Sequence, residues 1–106
     1  MATQRINLGP AERIPLGEGK AYRVGQRQVA VFRGRAGGLW ATDARCPHRG
    51  GPLADGLVGD AVLICPLHGR TFDLRTGAAG GEGCPPLRTY PVALDERGDL
   101  VLEVAE

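Results

Sequence analysis

The sequence predicts an all-β fold, an antiparallel sandwich or barrel. Its apolar runs are short, and 17 glycines and 8 prolines among 106 residues fall mostly between those runs. Several short strands separated by such residues are typical of antiparallel sandwiches and barrels. No stretch keeps a helical period for more than two turns. A chain of this length is expected to form one domain with one modest core.

The predicted strands follow the apolar runs in order. They cover residues 4–8, 22–24, 28–33, 39–42, 71–74, 90–94 and 100–104, with a further hairpin over 58–64. Gly9-Pro10 is expected to end the first strand, and residues 11–19 to form a polar loop or a single helical turn. Tight turns are predicted at 25–27, 59–60 and 96–99.

Composition excludes several classes of function. The formal net charge is +1 and there is no basic run, which argues against nucleic acid as a partner. No apolar run approaches the roughly 18 residues of a membrane span. Residues 1–5 lack the apolar core of a secretory signal, so we expect a cytoplasmic protein. We find no nucleophile–base pair, phosphate loop or substrate-pocket signature, and expect no catalytic site of its own.

Two short loops rich in glycine and proline carry the chemistry. The first, over 44–56, contains Cys46 and His48, and the second, over 65–69, contains Cys65 and His68. Each loop offers one thiolate and one imidazole, and neither can complete a site alone. In a Rieske [2Fe–2S] cluster two histidines replace two cysteines on one iron. The pattern therefore predicts that the two cysteines hold the inner iron and the two histidines the outer one.

Two other interpretations of these four residues stay open at this point. Two cysteines and two histidines also make a zinc site, although zinc fingers usually separate their first pair of ligands by two to four residues, not by the single residue between Cys46 and His48. Alternatively, they are ordinary buried thiols and core histidines. Both histidines of the chain fall in the pattern, which argues against a chance arrangement.

Three runs together resemble the soluble Rieske ferredoxin family. They are 46–53 (Cys-Pro-His-Arg-Gly-Gly-Pro-Leu), 65–69 (Cys-Pro-Leu-His-Gly) and 72–77 (Phe-Asp-Leu-Arg-Thr-Gly). The similarity covers about 29–104. Within the family, the chain is most similar to the small subunit of NAD(P)H-dependent nitrite reductase and to stand-alone proteins like it, chiefly through 49–52 and 72–77.

The resemblance implies a fold, a cofactor and a ligand set. It implies antiparallel β-sheets with a small cluster-binding subdomain at one tip, and one [2Fe–2S] cluster per chain held by Cys46, His48, Cys65 and His68, both histidines through Nδ1. The cluster-binding loops would be about 44–56, 65–73 and 84–86, with Cys84-Pro85-Pro86 covering the cluster. The whole chain, 1–106, would be a single Rieske domain.

Four positions depart from the Rieske proteins of respiratory complexes. Gly51 and Leu67 stand where those proteins carry two further, disulfide-bonded cysteines. Arg70 and Phe72 replace a serine and a tyrosine whose hydroxyls donate hydrogen bonds to sulfur. Such bonds stabilise the reduced cluster, so their loss should lower the potential. We expect a value near the low end of the Rieske range of about −150 to +300 mV.

The expected function is one-electron transfer. The motifs favour an electron-transfer subunit of assimilatory nitrite reductase, with the reductase large subunit as partner. The alternative is a free ferredoxin that passes electrons from a flavin reductase to an aromatic ring-hydroxylating oxygenase. A zinc-bound structural module is a remote third. The oligomeric state and the physiological donor and acceptor stay open.

The remaining candidates have weaker signals. Cys84 is expected to be an ordinary loop residue, with an extra ligand or a redox-active thiol as alternatives. Arg49 and Arg70 are expected to be solvated surface residues, and the alternative is that they dock an acidic partner. Trp40 and Phe32 are expected to belong to the core and not to an electron relay.

Overall fold

The computed structural model describes residues 3–47, 51–66, 69–80 and 85–105. This part of the chain is built almost entirely of antiparallel strands, which confirms the all-β prediction. The strands are β1 (Thr3–Pro10), β2 (Glu18–Val24), β3 (Arg27–Arg33), β4 (Leu39–Asp43), β5 (Leu57–Val58), β6 (Val62–Ile64), β7 (Thr71–Asp73), β8 (Thr89–Tyr90), β9 (Val92–Leu94) and β10 (Asp99–Ala105). Two single-turn 3₁₀ helices cover Ala11–Arg13 and Leu53–Asp55.

The strands form three sheets. A central sheet has the order β2-β3-β4-β8, an outer sheet the order β1-β10-β9, and a small third sheet the order β5-β6-β7. Every pairing is antiparallel. Strands β5 and β6 follow the first cysteine loop in the chain, and the second cysteine loop connects β6 to β7, so the small sheet helps to position both loops.

Strand β3 faces two hydrophobic cores. Its side chains alternate, so Val29 and Val31 pack into a core shared with the outer sheet, while Ala30 and Phe32 pack into a core shared with the small sheet. All four are fully buried. A strand covered on both faces needs an unbroken apolar run, and this is what residues 29–32 supply.

The core beneath the small sheet includes both cysteines of the described loops. Its buried members are Ala30, Phe32, Ala44, Cys46, Leu53, Val58, Leu63, Cys65, Phe72, Leu74 and Leu87. Trp40 packs against this core, and its indole N–H donates to the Asp60 carbonyl oxygen at 3.2 Å. The prediction that Phe32 is a core residue is confirmed, whereas Trp40 is partly buried and packs against the edge of this core.

The prediction of one strand over 90–94 is wrong. Tyr90 ends β8 in the central sheet, and Val92 begins β9 in the outer sheet. Pro91 lies between them; it has no N–H to donate to a ladder, and its carbonyl oxygen accepts from the Glu103 N–H at 2.9 Å. The chain therefore changes sheets at a residue that can accept a hydrogen bond from a neighbouring strand but cannot donate one.

The first strand continues past the predicted end at Gly9-Pro10. A shift in the register between Asn7 and Gly9 lets β1 keep pairing with β10 as far as Pro10. The Asn7 side-chain oxygen accepts from the Gly9 N–H at 2.8 Å, and Gly9 has a φ of 91°. Beyond it, the predicted loop over 11–19 contains the single helical turn Ala11–Arg13, but β2 already begins at Glu18.

The other predicted strands and hairpins are confirmed to within a few residues. No helix in the ranges that the structure describes has the length and apolar character needed to cross a membrane.

Candidate metal centre

The two cysteine loops are closed in the same way. The Cys46 N–H donates to the Gly51 carbonyl oxygen at 2.8 Å, and the Cys65 N–H donates to the Arg70 carbonyl oxygen at 2.7 Å. In both loops the acceptor lies five residues after the cysteine. Each cysteine therefore stands at the neck of a short loop, where its backbone is fixed by the segment that returns.

The second loop is the connection of a β-hairpin. Ile64 and Thr71 are the last paired residues of β6 and β7, and the Cys65–Arg70 bond extends this ladder by one step. The Gly69 N–H donates to the Cys65 carbonyl oxygen at 3.1 Å, and Gly69 has a φ of 69°. A residue with a β-carbon adopts that conformation at a cost, so glycine suits this tight return.

The first loop is anchored to the central sheet. The Ala44 N–H donates to the Gln28 carbonyl oxygen at 3.1 Å, and the Leu53 N–H donates to the Ala44 carbonyl oxygen at 3.0 Å. Arg45 forms an isolated bridge with Pro52 just before the neck bond of Cys46. The backbone of the first loop thus continues directly from β4 and rests on the start of β3.

A third segment returns beside these two loops. The Leu87 N–H donates to the Gly77 carbonyl oxygen at 2.7 Å, and the Arg88 carbonyl oxygen accepts from the Asp43 N–H at 3.0 Å. The side chain of Leu87 is buried in the same core as the two cysteines. Of the predicted covering loop over 84–86, Pro85 and Pro86 are exposed and Cys84 lies outside the described residues.

Tyr90, at the end of β8, holds the end of β4 through a side-chain contact. Its hydroxyl donates a hydrogen bond to the Asp43 carboxylate. Burial raises the pKa of Tyr90, and the hydrogen bond to the Asp43 carboxylate and its negative charge raise it further. Sequence analysis missed both residues, because a tyrosine and an aspartate 47 positions apart carry no local signal.

Both described cysteines are shielded from water. Cys46 is 4% exposed and Cys65 is 2% exposed, they belong to one hydrophobic core, and neither is in a disulfide. Two thiols at the necks of facing loops, inside an apolar environment, fit the thiolate half of an iron–sulfur site, because iron–sulfur clusters are held by cysteine thiolates. These two cysteines therefore fit the thiolate half of the cofactor that the sequence predicts.

The two histidines fall outside the described residues, as does Arg49. The described part of the chain consequently shows two of the four predicted ligands, and it contains no group of three or more potential metal ligands. His48 and His68 lie in sequence inside the two loops whose necks are described.

Three of the four expected departures around the cluster can be located, and the fourth, Leu67, lies outside the described residues. Phe72 is 1% exposed and packs in the core that contains both cysteines, so an apolar ring occupies the position that the resemblance gives to a hydroxyl. Gly51 is buried and closes the neck of the first loop through its carbonyl oxygen. Arg70 is half-buried, and its carbonyl oxygen closes the second neck.

Comparison with known proteins assigns the class that this fold and site define. Residues 4–91 match the family model of the Rieske [2Fe-2S] domain. The chain belongs to the Rieske [2Fe-2S] family, and its cofactor is one [2Fe–2S] cluster. The zinc interpretation of the ligand set is thereby set aside.

Individual relatives place the chain among small electron-transfer proteins. It is 36% identical over 104 residues to the 3-phenylpropionate/cinnamic acid dioxygenase ferredoxin subunit of Escherichia coli K12, covering 96% of this chain and 95% of that protein. The Sphingomonas yanoikuyae B1 ferredoxin structure is 31% identical, with a TM-score of 0.83 over 96% of this chain and 100% of the other.

A second structural neighbour has another description. A protein from Mycobacterium tuberculosis, described as an NADH-dependent nitrite reductase small subunit, superposes with a TM-score of 0.90 at 20% identity and covers 100% of this chain and 99% of that one. At that identity the similarity shows the fold alone. Together the comparisons make this chain a Rieske electron-transfer protein.

Proposed function

We propose that this chain is a ferredoxin that carries single electrons from a flavin reductase to a Rieske-type aromatic ring-hydroxylating oxygenase. The observation that carries the proposal is the 36% identity to a dioxygenase ferredoxin subunit over nearly the full length of both proteins. The sequence motifs alone favour a nitrite reductase small subunit over a ferredoxin of an oxygenase. The proposal reverses that order. The motifs at 49–52 and 72–77 keep that subunit as the alternative.

Cys46, His48, Cys65 and His68 are the proposed ligands. When bound, the [2Fe–2S] cluster supplies one-electron transfer. The protein supplies burial, orientation and electrostatics. The neck hydrogen bonds at Gly51 and Arg70 hold the backbone of both cysteines, and the apolar core keeps water from their sulfur atoms.

The surface beside the second loop suits a transient protein contact. Leu57, Val62 and Ile64 are 69%, 48% and 40% exposed, and all three lie on the outer face of the small sheet. Ile64 directly precedes Cys65, so this apolar face adjoins the proposed cluster. Exposed apolar groups of this kind are frequent at sites of protein–protein interaction. We propose that a redox partner covers this face when electrons pass.

The remaining parts of the proposal concern organisation and location. Residues 1–106 form one Rieske domain without a catalytic site of its own, and the protein works in the cytoplasm. Its partners are redox proteins and not nucleic acid or membrane. The formal net charge of +1 and the absence of a basic run support the exclusion of nucleic acid.

The test compares two electron acceptors for one holoprotein. The chain, reduced through NADH and a flavin reductase, is mixed with purified 3-phenylpropionate dioxygenase oxygenase component, and separately with a nitrite reductase large subunit and nitrite. We expect hydroxylated product in the first mixture and no nitrite-dependent NADH oxidation beyond the control without ferredoxin in the second. A Cys65→Ser variant serves as the control that lacks a ligand. The opposite pattern would replace the oxygenase role with the nitrite reductase role.

A further inference from the structure

A polar cavity of about 460 Å³ adjoins the start of the first cluster loop. It lies between the tip of the β2–β3 hairpin and the segment that leads from β4 to Cys46. Its lining residues are Arg23, Gln26, Arg27, Gln28, Asp43, Ala44 and Arg45. None of these belongs to the proposed ligand set, and electron transfer does not account for them.

The cavity is electropositive. The residues that line it include three arginines and one carboxylate, that of Asp43, so their formal charges sum to +2. Asp43 is already engaged, because it accepts the hydrogen bond of the Tyr90 hydroxyl. The Arg23 side chain is held by the hairpin turn, where its Nε donates to the Gly25 carbonyl oxygen at 3.3 Å.

Arg27 supplies the second, independent observation. One terminal nitrogen of its guanidinium is buried and has no hydrogen-bond partner in the part of the chain that the structure describes. A buried charged donor without an acceptor is costly, so such groups are usually paired. A guanidinium presents its donors as a rigid planar fork that matches the two oxygens of a carboxylate or phosphate. Because this nitrogen is shielded from water in the present conformation, an oxyanion in the cavity would meet it only after a small turn of the Arg27 side chain.

We propose that this cavity binds the oxyanion group, a carboxylate or a phosphate, of a small organic molecule. Its volume lies within the range of small-molecule sites, about 300–1,000 Å³, and exceeds the space that a single carboxylate fills. The arginines that line the cavity have aliphatic stems that can cover an organic body attached to the anion. The two glutamine amides add neutral donors and acceptors.

Titration calorimetry on the holoprotein tests the proposal with two probes, sodium benzoate and inorganic phosphate. Sodium chloride at matched ionic strength corrects for non-specific screening. We expect saturable binding of at least one probe, and the tighter of the two identifies the oxyanion as carboxylate or phosphate. Arg27→Gln should weaken binding by about tenfold or more, the loss expected for one charged hydrogen bond. Arg27→Lys should recover only part of it, because the charge returns without the fork.

Arg97→Gln is the matched control, since Arg97 is an exposed arginine in the turn between β9 and β10, outside the cavity. It should bind as the parent protein does. The visible spectrum of every variant is recorded alongside. An unchanged spectrum shows an intact cluster, so a negative binding result is distinct from failure of the electron-transfer proposal.

If Arg27→Gln does not fold, Arg45→Gln makes the same test at an exposed side chain. The absence of saturable heat with both probes up to about 10 mM, or unchanged affinity in the Arg27→Gln and Arg45→Gln proteins, would overturn the proposal.

Discussion

The hydroxyl of Tyr90 donates a hydrogen bond to the carboxylate of Asp43, joining the end of β8 to the end of β4. Asp43 also donates its N–H to the Arg88 carbonyl oxygen at 3.0 Å. The chain runs on from Asp43 through Ala44 and Arg45 to Cys46, and Arg88 follows the third loop. The contact between Tyr90 and Asp43 therefore holds the start of the first cysteine loop against the segment that contains Leu87 and Arg88.

Tyr90→Phe should lower the free energy of unfolding by about 1–2 kcal/mol, because it leaves the Asp43 carboxylate without this donor. Tyr22→Phe is the control: the Tyr22 hydroxyl is buried and has no hydrogen-bond partner in the described ranges, so its removal should cost little. Urea unfolding of the holoproteins measures both. Equal losses in the two variants would show that the Asp43 contact contributes nothing specific.

The same contact predicts a dependence on alkaline pH. The pKa of Tyr90 is raised by burial and then by Asp43, so it lies above the unfolded value of about 10. A group of this kind contributes stability that is fully present below the unfolded pKa and is lost as pH rises through the folded pKa. Stability should therefore fall above about pH 10, and less steeply in Tyr90→Phe. Unfolding midpoints measured from pH 8 to pH 11 check this; parallel curves for parent and variant would contradict it.

Gly77 and Leu87 provide a prediction about backbone fit. Gly77 has a φ of 83°, and a β-carbon there would collide with the Leu87 carbonyl oxygen, whereas Gly98 has the same φ of 83° and open space around it. Gly98→Ala should cost about 1 kcal/mol for the backbone conformation alone. Gly77→Ala should cost clearly more, about 2–4 kcal/mol, because the third segment must also move. Similar losses in urea unfolding would show that the approach to Leu87 is not constraining.

The ligand set is tested by colour. The purified protein should be brown, resist reduction by ascorbate and bleach with dithionite. Cys46→Ala and Cys65→Ala should each abolish the visible absorption, because each removes one thiolate ligand. Cys84→Ala should leave the spectrum unchanged if Cys84 is an ordinary loop residue. A colourless Cys84→Ala protein would add Cys84 to the ligand set.

The position of Phe72 beside the cysteines leads to a prediction about the reduction potential of the cluster. An apolar ring in the core that holds both cysteines offers no hydrogen bond to sulfur, so the potential should lie near the low end of the Rieske range, around −150 mV. Phe72→Tyr adds a hydroxyl and should raise it. Phe32→Tyr, in the same core but outside the cluster loops, is the control. A redox titration of the parent protein above about +100 mV would contradict this interpretation.

Local patterns predicted much of the fold. The unbroken run 29–32 and the glycine turns predicted β3 and the hairpins, because burial on both faces and positive φ angles constrain residue type directly. The prediction of a single strand over 90–94 was wrong. One apolar run can contribute to two sheets, and the sequence alone does not show in which sheet each residue pairs. Pro91 was the signal that could have divided it.

By itself, the sequence predicted the kind of centre: two Cys–His pairs in glycine- and proline-rich loops indicate the ligand chemistry of a Rieske cluster, and this signal depends on residue types a few positions apart. The tertiary structure decided how those loops are held. The neck bonds at Gly51 and Arg70, the Tyr90–Asp43 contact and the cavity around Arg27 depend on backbone register and on strands that are distant in sequence. Such contacts arise only when the sheets pack, because hydrogen bonds and charge pairing depend on distances that no local pattern encodes.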